Sequence, residues 1–189
     1  MSEYFEVRLS GSGGQGMMLA GIFLAEAAGI YDDKNIVLCK SYGPEARGGA
    51  CRSEVIISEE PIVYPEVQEP DLVLAMTQEA CNKYYKDLKP GGIMIVDPEY
   101  VREIPDANIE IFQVPLTRIA REEIGYEITA NVVALGAFAA IVDCVAINSI
   151  RKAILDRTPQ STDALNKKAF DCGYTYVINN YKEKARKIG

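Results

Sequence analysis

The chain has 189 residues, of which 48% are hydrophobic and 25% charged, proportions that are typical of a folded globular domain and argue against intrinsic disorder. The net charge of −7 argues against a nucleic-acid binder, which usually presents a basic face. No apolar run reaches the roughly 18–20 residues that span a bilayer, and the first residues lack the pattern of a signal peptide. We therefore expect one domain over residues 1–189 in a cytoplasmic protein.

The predicted elements alternate between strand and helix along the chain. The first part contains strand 4–9, helix 14–28 ending at Gly29, strand 35–39, a loop over 41–50, strand 51–58, an acidic proline-rich turn segment over 58–70 and buried strand 71–76. The second part contains a helix from cap Thr77 to about residue 88, strand 93–96, strand 109–114, helix 115–125, an apolar helix from Thr129 or Asn131 to 145, a helix from cap Asn148 to about 156, and helix 162–187 with a break at Gly173.

Several of these strands are unbroken apolar runs, which is typical of strands that are buried on both faces. The pattern predicts an α/β fold, a Rossmann-like three-layer sandwich with a mostly parallel sheet. In such sheets ligands bind beyond the carboxyl ends of the strands. The segment that directly follows the first strand is therefore the first place to look for a site.

That segment contains four glycines and one glutamine: Gly11, Gly13, Gly14, Gln15 and Gly16. It matches G-x-G-x-x-G in the expected context, after a strand and before a helix. Glycine lets the backbone turn sharply and lets a ligand approach closely, and the N-terminus of the following helix offers free N–H groups to an anion. The loop predicts a contact to a phosphoryl group or a partner's carboxylate, and the alternative is that the glycines serve only tight packing.

A dinucleotide site would need one more residue, an acid at the end of the second strand that holds the ribose. Leu38-Cys39-Lys40-Ser41 occupies that position instead, which argues against an independent NAD(P)-dependent oxidoreductase. No G-K-[ST] follows the glycines either, so the loop is not the phosphate-binding loop of nucleotide hydrolases.

Histidine is absent from the sequence, and its five cysteines lie far apart. Without histidine the chain has no Ser–His or Cys–His dyad and no imidazole base or metal ligand. Without a C-x-x-C pair it lacks the usual spacing of zinc and iron–sulfur sites, so the cysteines are predicted to be reduced, mostly buried thiols. We predict no catalytic and no metal-binding residue in this chain, and we expect the reactive groups to lie elsewhere.

Two further features are candidates for binding. The loop SYGPEARGGACR, residues 41–52, places Arg47 before two glycines, which leave room for a planar anion to reach the guanidinium. The alternative is a solvated loop. Asn131 stands near the start of an apolar helix, where it either caps the helix or directs its amide toward the same site.

Together these segments resemble one family. The opening GxGGQG, the loop YGPEARGG about thirty residues later, NVVALGA at 131–137 and AFDCG at 169–173 are similar to the gamma subunits of the 2-oxoacid:ferredoxin oxidoreductases. The resemblance covers essentially the whole chain, and YGPEARGG is its most specific part. The 2-oxoglutarate type is the closest fit, while the pyruvate, branched-chain and indolepyruvate types stay open.

The resemblance implies a non-redox subunit, inactive alone, in a complex with alpha, beta and ferredoxin-like delta subunits. That complex would convert a 2-oxoacid, coenzyme A and oxidised ferredoxin into an acyl-CoA, CO2 and reduced ferredoxin, with thiamine diphosphate, magnesium and iron–sulfur clusters held by the partners. Seven residues of this chain would contact coenzyme A, another anion or a partner: Gly11, Gly13, Gly14, Gln15, Gly16, Arg47 and Asn131. The alternative within the complex is a purely structural subunit.

Overall fold

A computed structural model describes residues 4–41 and 51–184 of the chain. Within those residues six strands form one sheet: β1 (Tyr4–Gly11), β2 (Asn35–Ser41), β3 (Cys51–Ser58), β4 (Leu72–Ala75), β5 (Ile93–Val96) and β6 (Glu110–Gln113). The same residues form six α-helices: α1 (Met17–Glu26), α2 (Gln78–Tyr84), α3 (Leu116–Ile119), α4 (Ala130–Ile141), α5 (Ile147–Arg157) and α6 (Asp163–Asn180). The last helix was predicted to reach residue 187 but ends at Asn180, because the backbone of Tyr181 is no longer helical, and residues 185–187 lie outside the described residues.

The strand order in the sheet is β2-β3-β1-β4-β5-β6. The neighbours β1, β4, β5 and β6 pair in parallel, whereas β3 runs antiparallel to both β1 and β2. Five of the six described strands therefore point the same way, and the predicted α/β fold with a mostly parallel sheet is confirmed.

The two faces of the sheet carry unequal numbers of helices. On β4, Leu72 and Leu74 point into a large core shared with α1, α3, α4, α5 and α6. The alternate residues Val73 and Ala75 point into a smaller core closed by α2. Because every β4 residue is buried on one face or the other, the strand is apolar without interruption, as its sequence indicated.

Helix α4 lies within the larger core and is buried along its whole length. Its Gly136 lies so close to α6 that an added Cβ would stand 2.0 Å from the backbone oxygen of Phe170. Gly173 of α6 has the reciprocal relation, because its added Cβ would stand 2.0 Å from the backbone oxygen of Val133. The predicted break at Gly173 is therefore wrong, since this glycine allows two helix backbones to touch and α6 continues through it.

The end of α1 differs from the prediction as well. The chain does not stop at Gly29 but continues through a π-helical turn, Ala27–Tyr31, closed by a hydrogen bond from Asp32 N to the Ala27 oxygen at 3.1 Å. The residue that reverses the backbone is Asp33, with a φ of 56°. Aspartate tolerates this left-handed conformation better than most residues, so the stop signal is an acidic residue where glycine was expected.

The start of α5 is also set by a distant residue. Asn148 is not the cap, because it lies inside the first turn of a helix that begins at Ile147. The N-cap is Ala146, and the start of the helix is held by Asp32, whose carboxylate accepts hydrogen bonds from Ala146 N at 2.7 Å and from the Ser149 hydroxyl. Helix α4, which was expected to reach residue 145, ends at Ile141 because Val142 is already extended.

Candidate functional site

The glycine loop lies at the carboxyl end of β1, where neighbouring connections leave the sheet in opposite directions. After β1 the chain enters α1 on the face of the larger core, and after the adjacent parallel strand β4 it enters α2 on the other face. Met76 N donates to the Ser10 oxygen at 2.9 Å and so holds the two carboxyl ends together. Such a switch point between parallel strands is where open α/β sheets bind ligands.

The loop is shaped by glycines and by one internal side chain. Gly14 and Gly16 adopt positive φ values of 96° and 74°. Gln15 folds back over the loop, and its Oε1 accepts a hydrogen bond from Ser12 N at 2.8 Å. A Cβ at Gly11 would stand 2.5 Å from that same oxygen. Gln15 therefore stabilises the turn with a hydrogen bond inside the loop. Glycine is needed at positions 14 and 16, where φ is positive, and at position 11, where the Gln15 amide lies against the backbone.

Gly13 and Gly14 form the open side of this loop. Both are exposed, and an added Cβ at either position would meet no heavy atom of the described residues within 4 Å. The space that the described residues leave beside these two glycines is suited to a group that approaches the backbone closely.

The N-terminus of α1 points to the same space. Its N-cap is Gly16, and the first helical hydrogen bond runs from Ala20 N to the Gly16 oxygen at 2.9 Å. The N–H groups of Met17 to Leu19 are not used by that helical pattern, and no acidic residue in this turn neutralises the positive end of the helix dipole. This end of α1 has the properties of an anion-binding site.

Asn131 is brought to the glycine loop by α4. It is the second residue of that helix and is 5% exposed. Its Oδ1 accepts from Val132 N at 2.9 Å, and its Nδ2 would stand 2.7 Å from a Cβ added to Gly16. The N-cap position belongs to Thr129, one of the two predicted helix starts, so Asn131 packs its amide against the backbone at the start of α1.

Sequence reasoning missed the residue that fixes α1 on the sheet. Ser53 of β3 is fully buried, and its hydroxyl donates to the Met17 oxygen at 2.7 Å. The helix comes this close because Gly21 has no side chain, since a Cβ there would stand 2.3 Å from the Ser53 hydroxyl oxygen. The only sequence signals were a serine within the predicted strand 51–58 and a glycine one turn into an apolar helix, and neither alone indicates the contact.

Cys51 supports the loop from the neighbouring strand. It pairs with Gly11 across the sheet, and its thiol donates to the Ser12 oxygen at 3.5 Å. Burial raises the pKa of this thiol, so it stays protonated at neutral pH and keeps its donor.

Arg47 belongs to residues 42–50, which lie outside the described residues. Its position at the site therefore stays a prediction. The described residues that flank the segment, Ser41 and Cys51, lie at the same end of the strands as the glycine loop.

The far side of β1 carries a buried charge cluster that sequence reasoning also missed. Arg8 is 4% exposed, and its Nε lies 2.7 Å from a Glu54 carboxylate oxygen, while another nitrogen pairs with Asp87. Its guanidinium lies 4.9 Å from the centre of the Tyr84 ring. The cluster joins β1, β3 and the end of α2 and satisfies its own charges, so we assign it a structural role.

The described residues contain no group of three or more Cys, Asp or Glu side chains that could hold a metal ion. The acidic residues nearest to β2 in sequence, Asp32 and Asp33, precede the strand, and Asp32 holds the start of α5. In a dinucleotide-binding fold the acid stands at the end of the parallel strand next to β1. Here the antiparallel β3 lies between β1 and β2, so the end of β2 that presents Lys40 is not in that position. The geometry therefore fits an isolated anion better than a complete dinucleotide.

Comparisons with known proteins agree on one family. Residues 6–176 match the family described as pyruvate ferredoxin/flavodoxin oxidoreductase. The chain is 48% identical over 171 residues to the 2-oxoglutarate synthase subunit KorC of Methanocaldococcus jannaschii, covering 89% of this chain and 91% of the relative.

Solved structures give the same result. The gamma subunit of a keto/oxoacid ferredoxin oxidoreductase from Geobacter sulfurreducens is similar with a TM-score of 0.84 and 46% identity, over 93% of this chain and 99% of that one. A 2-oxoglutarate:ferredoxin oxidoreductase from Magnetococcus marinus shares the fold, with a TM-score of 0.86 at 24% identity. There the whole of this chain corresponds to 33% of a longer polypeptide.

Proposed function

The chain belongs to the pyruvate ferredoxin/flavodoxin oxidoreductase family, as the gamma subunit of a 2-oxoglutarate:ferredoxin oxidoreductase, and we propose that its glycine loop binds a phosphate group of coenzyme A. The proposed reaction converts 2-oxoglutarate, coenzyme A and oxidised ferredoxin into succinyl-CoA, CO2 and reduced ferredoxin. In this proposal the chain completes the coenzyme A pocket and leaves the reactive groups to its partners.

One observation carries the proposal. The start of α1 combines a glycine N-cap, a first turn without acidic residues and the open side of the loop at Gly13 and Gly14. A phosphate can approach the backbone there and accept hydrogen bonds from N–H groups that the helix itself does not use. Coenzyme A carries a pyrophosphate and a 3′-phosphate, either of which suits such a site. The buried Asn131 would hold the loop in this shape and direct its amide to the same place.

The other cofactors are assigned to partner subunits. Thiamine diphosphate with magnesium would support decarboxylation, and iron–sulfur clusters would carry electrons to ferredoxin. Neither fits the donor set of this chain, which has no histidine, no cluster-spaced cysteines and, among its described residues, no metal-ligating group. The proposed partners are alpha, beta and ferredoxin-like delta subunits. No helix within residues 4–41 and 51–184 is long and apolar enough to cross a membrane.

The test is a titration of coenzyme A against the assembled enzyme that contains Gly14→Val. The valine side chain would fill the open side of the loop, and we expect KM for coenzyme A to rise on the order of tenfold, equivalent to about 1.4 kcal/mol. Gly91→Val is the matched control. Gly91 also has a positive φ and no described heavy atom within 4 Å of an added Cβ. It precedes β5 and therefore lies at the amino ends of the parallel strands, away from the glycine loop.

The two variants introduce similar backbone strain, so a selective effect of Gly14→Val identifies the site itself. Arg47→Ala extends the test to the second loop and is expected to raise KM for coenzyme A in the same direction. Unchanged affinity and turnover in both Gly14→Val and Arg47→Ala would favour a purely structural subunit. An NAD(P)-dependent enzyme would instead require the purified chain to bind NAD(P) with micromolar affinity.

A further inference from the structure

The described residues include seven large hydrophobic side chains that are exposed, and three of them lie on the two segments that follow β5 and β6. They are Tyr100, Tyr126 and Ile128, which are 40%, 61% and 75% exposed, and we call them the rim patch. Tyr126 and Ile128 belong to the turn that leads into α4, three to five residues before Asn131. A fourth exposed residue, Leu19, lies in the first turn of α1.

Ion pairs hold the two segments of the rim patch together. Arg121 donates to both carboxylate oxygens of Glu99, at 2.9 and 3.0 Å, and lies 3.5 Å from a carboxylate oxygen of Glu127. This places the loop that carries Tyr100 next to the turn that carries Tyr126 and Ile128. The patch is therefore one surface built from two segments that follow the carboxyl ends of β5 and β6.

The backbone under the patch is fixed in place. Tyr126 N donates to the Ala120 oxygen at 3.1 Å, and the Tyr126 oxygen accepts from Thr129 N at 3.0 Å and from the Thr129 hydroxyl at 2.7 Å. A turn whose backbone is already fixed in this way loses little further backbone entropy on binding. Tyrosine and isoleucine held outward in this way cost solubility in a free chain, whereas tyrosine is enriched at protein interfaces.

The charges around the patch indicate what kind of surface would cover it. The segment 121–128 contains one arginine and three glutamates, Glu122, Glu123 and Glu127, all of them exposed, and Glu99 adds a further acid. A covering surface with basic residues around an apolar centre would match it. The chain as a whole carries a net charge of −7, so a second copy of this chain is a poor electrostatic match.

We propose that the rim patch docks a partner subunit of the same complex, through an apolar depression rimmed by lysine or arginine. This inference rests on the proposed function, because it makes the docked partner the second wall of the anion site. It also fits the observation that a fold relative carries this domain as one third of a longer chain, within which the domain must contact the remainder. The patch lies next to the loop that such a partner would have to reach.

The test measures the dissociation constant between the purified chain and the remaining subunits, immobilised through one of them. Ile128→Asp is expected to raise Kd at least about tenfold, and the milder Ile128→Ser about threefold. Val63→Asp is the matched control, because Val63 is 86% exposed on another part of the surface, and its Kd should stay within about twofold of wild type. Glu122→Lys is expected to slow association severalfold at low salt, with the effect fading as salt is raised.

Three outcomes would overturn the proposal. Assembly of Ile128→Asp with wild-type affinity would show that the patch is not at the interface. A dimer of the isolated chain that Ile128→Asp converts to monomer would assign the patch to a second copy. A raised KM for coenzyme A with unchanged assembly would assign it to the ligand pocket. Gly14→Val is expected to assemble normally with a raised KM, so failure of the site and failure of the docking surface give different results.

Discussion

Three glycines between β1 and α1 differ in what an added methyl group would meet, so alanine substitutions separate backbone strain from steric contact. Gly13 has no positive φ, and its added Cβ meets no described heavy atom within 4 Å. Gly14 has a φ of 96° with equally open surroundings. Gly16 has a φ of 74°, and its Cβ would stand 2.7 Å from Asn131 Nδ2 and 2.9 Å from Asn131 Cγ.

These geometries predict an ordered series of changes in the free energy of unfolding. Gly13→Ala should change stability by less than about 1 kcal/mol, in the stabilising direction, because alanine restricts the unfolded chain. Gly14→Ala should cost about 1–2 kcal/mol, since a side chain in the left-handed region is strained. Gly16→Ala should cost more than Gly14→Ala, because an overpacking cost of about 1–3 kcal/mol is added to a similar backbone strain.

A double-mutant cycle isolates the contact. In the Gly16→Ala background, Asn131→Ala removes the atoms that the new methyl group meets, so part of the lost stability should return as a coupling free energy of about 1–2 kcal/mol. The same Asn131→Ala change combined with Gly14→Ala should be additive, because Gly14 has no described neighbour to couple with. Urea unfolding of each purified variant, followed by far-UV circular dichroism at constant m value, gives the required free energies.

The reasoning would be refuted if Gly13→Ala cost as much as Gly16→Ala. It would equally be refuted if the Gly16 and Asn131 changes were additive, because the two predicted site elements would then not touch.

Further predictions concern the scaffold and the thiols. Gly136→Ala and Gly173→Ala should each cost more than about 3 kcal/mol in thermal unfolding, because each added Cβ would overlap a backbone oxygen at 2.0 Å. Asp32→Ala should cost about 1–2 kcal/mol and speed amide exchange at the start of α5, because it removes the two hydrogen bonds that hold that end of the helix. Toward a thiol reagent at pH 8, exposed Cys39 should react first and fully buried Cys81 last, and half-buried Cys144 should become reactive only toward high pH, since burial raises its pKa to about 12.

The parts of the fold that sequence predicted correctly depend on local signals. Strands β3 and β5 begin and end where predicted, because β-branched or apolar runs are bounded there by turn residues. Thr77 caps α2 as expected, accepting from Ala80 N at 3.2 Å. The glycine loop and Asn131 were predicted from motif and context to share one site; the fold places Asn131 against Gly16, and their role in binding stays a prediction.

The parts that sequence could not predict depend on residues far apart in the chain. Asp32 holds the start of α5 across more than a hundred positions, which no local pattern can indicate. Gly173 looked like a helix break because glycine is a poor helix former, whereas its function is the close approach of α4, which only the packed structure reveals. The role of Ser53 could not be predicted for the same reason, because it depends on close packing against Gly21 where α1 meets β3.

We propose that this chain is an incomplete part of a larger enzyme, providing a site for an anionic group while its partners supply the reactive cofactors. The most direct measurement is ferredoxin reduction by the remaining subunits, with 2-oxoglutarate and coenzyme A, before and after this chain is added back. We predict that coenzyme A-dependent turnover is lost without the chain and restored in proportion to the amount added, while the chain alone is inactive. Full turnover by the partners alone, or turnover by the isolated chain, would contradict the account.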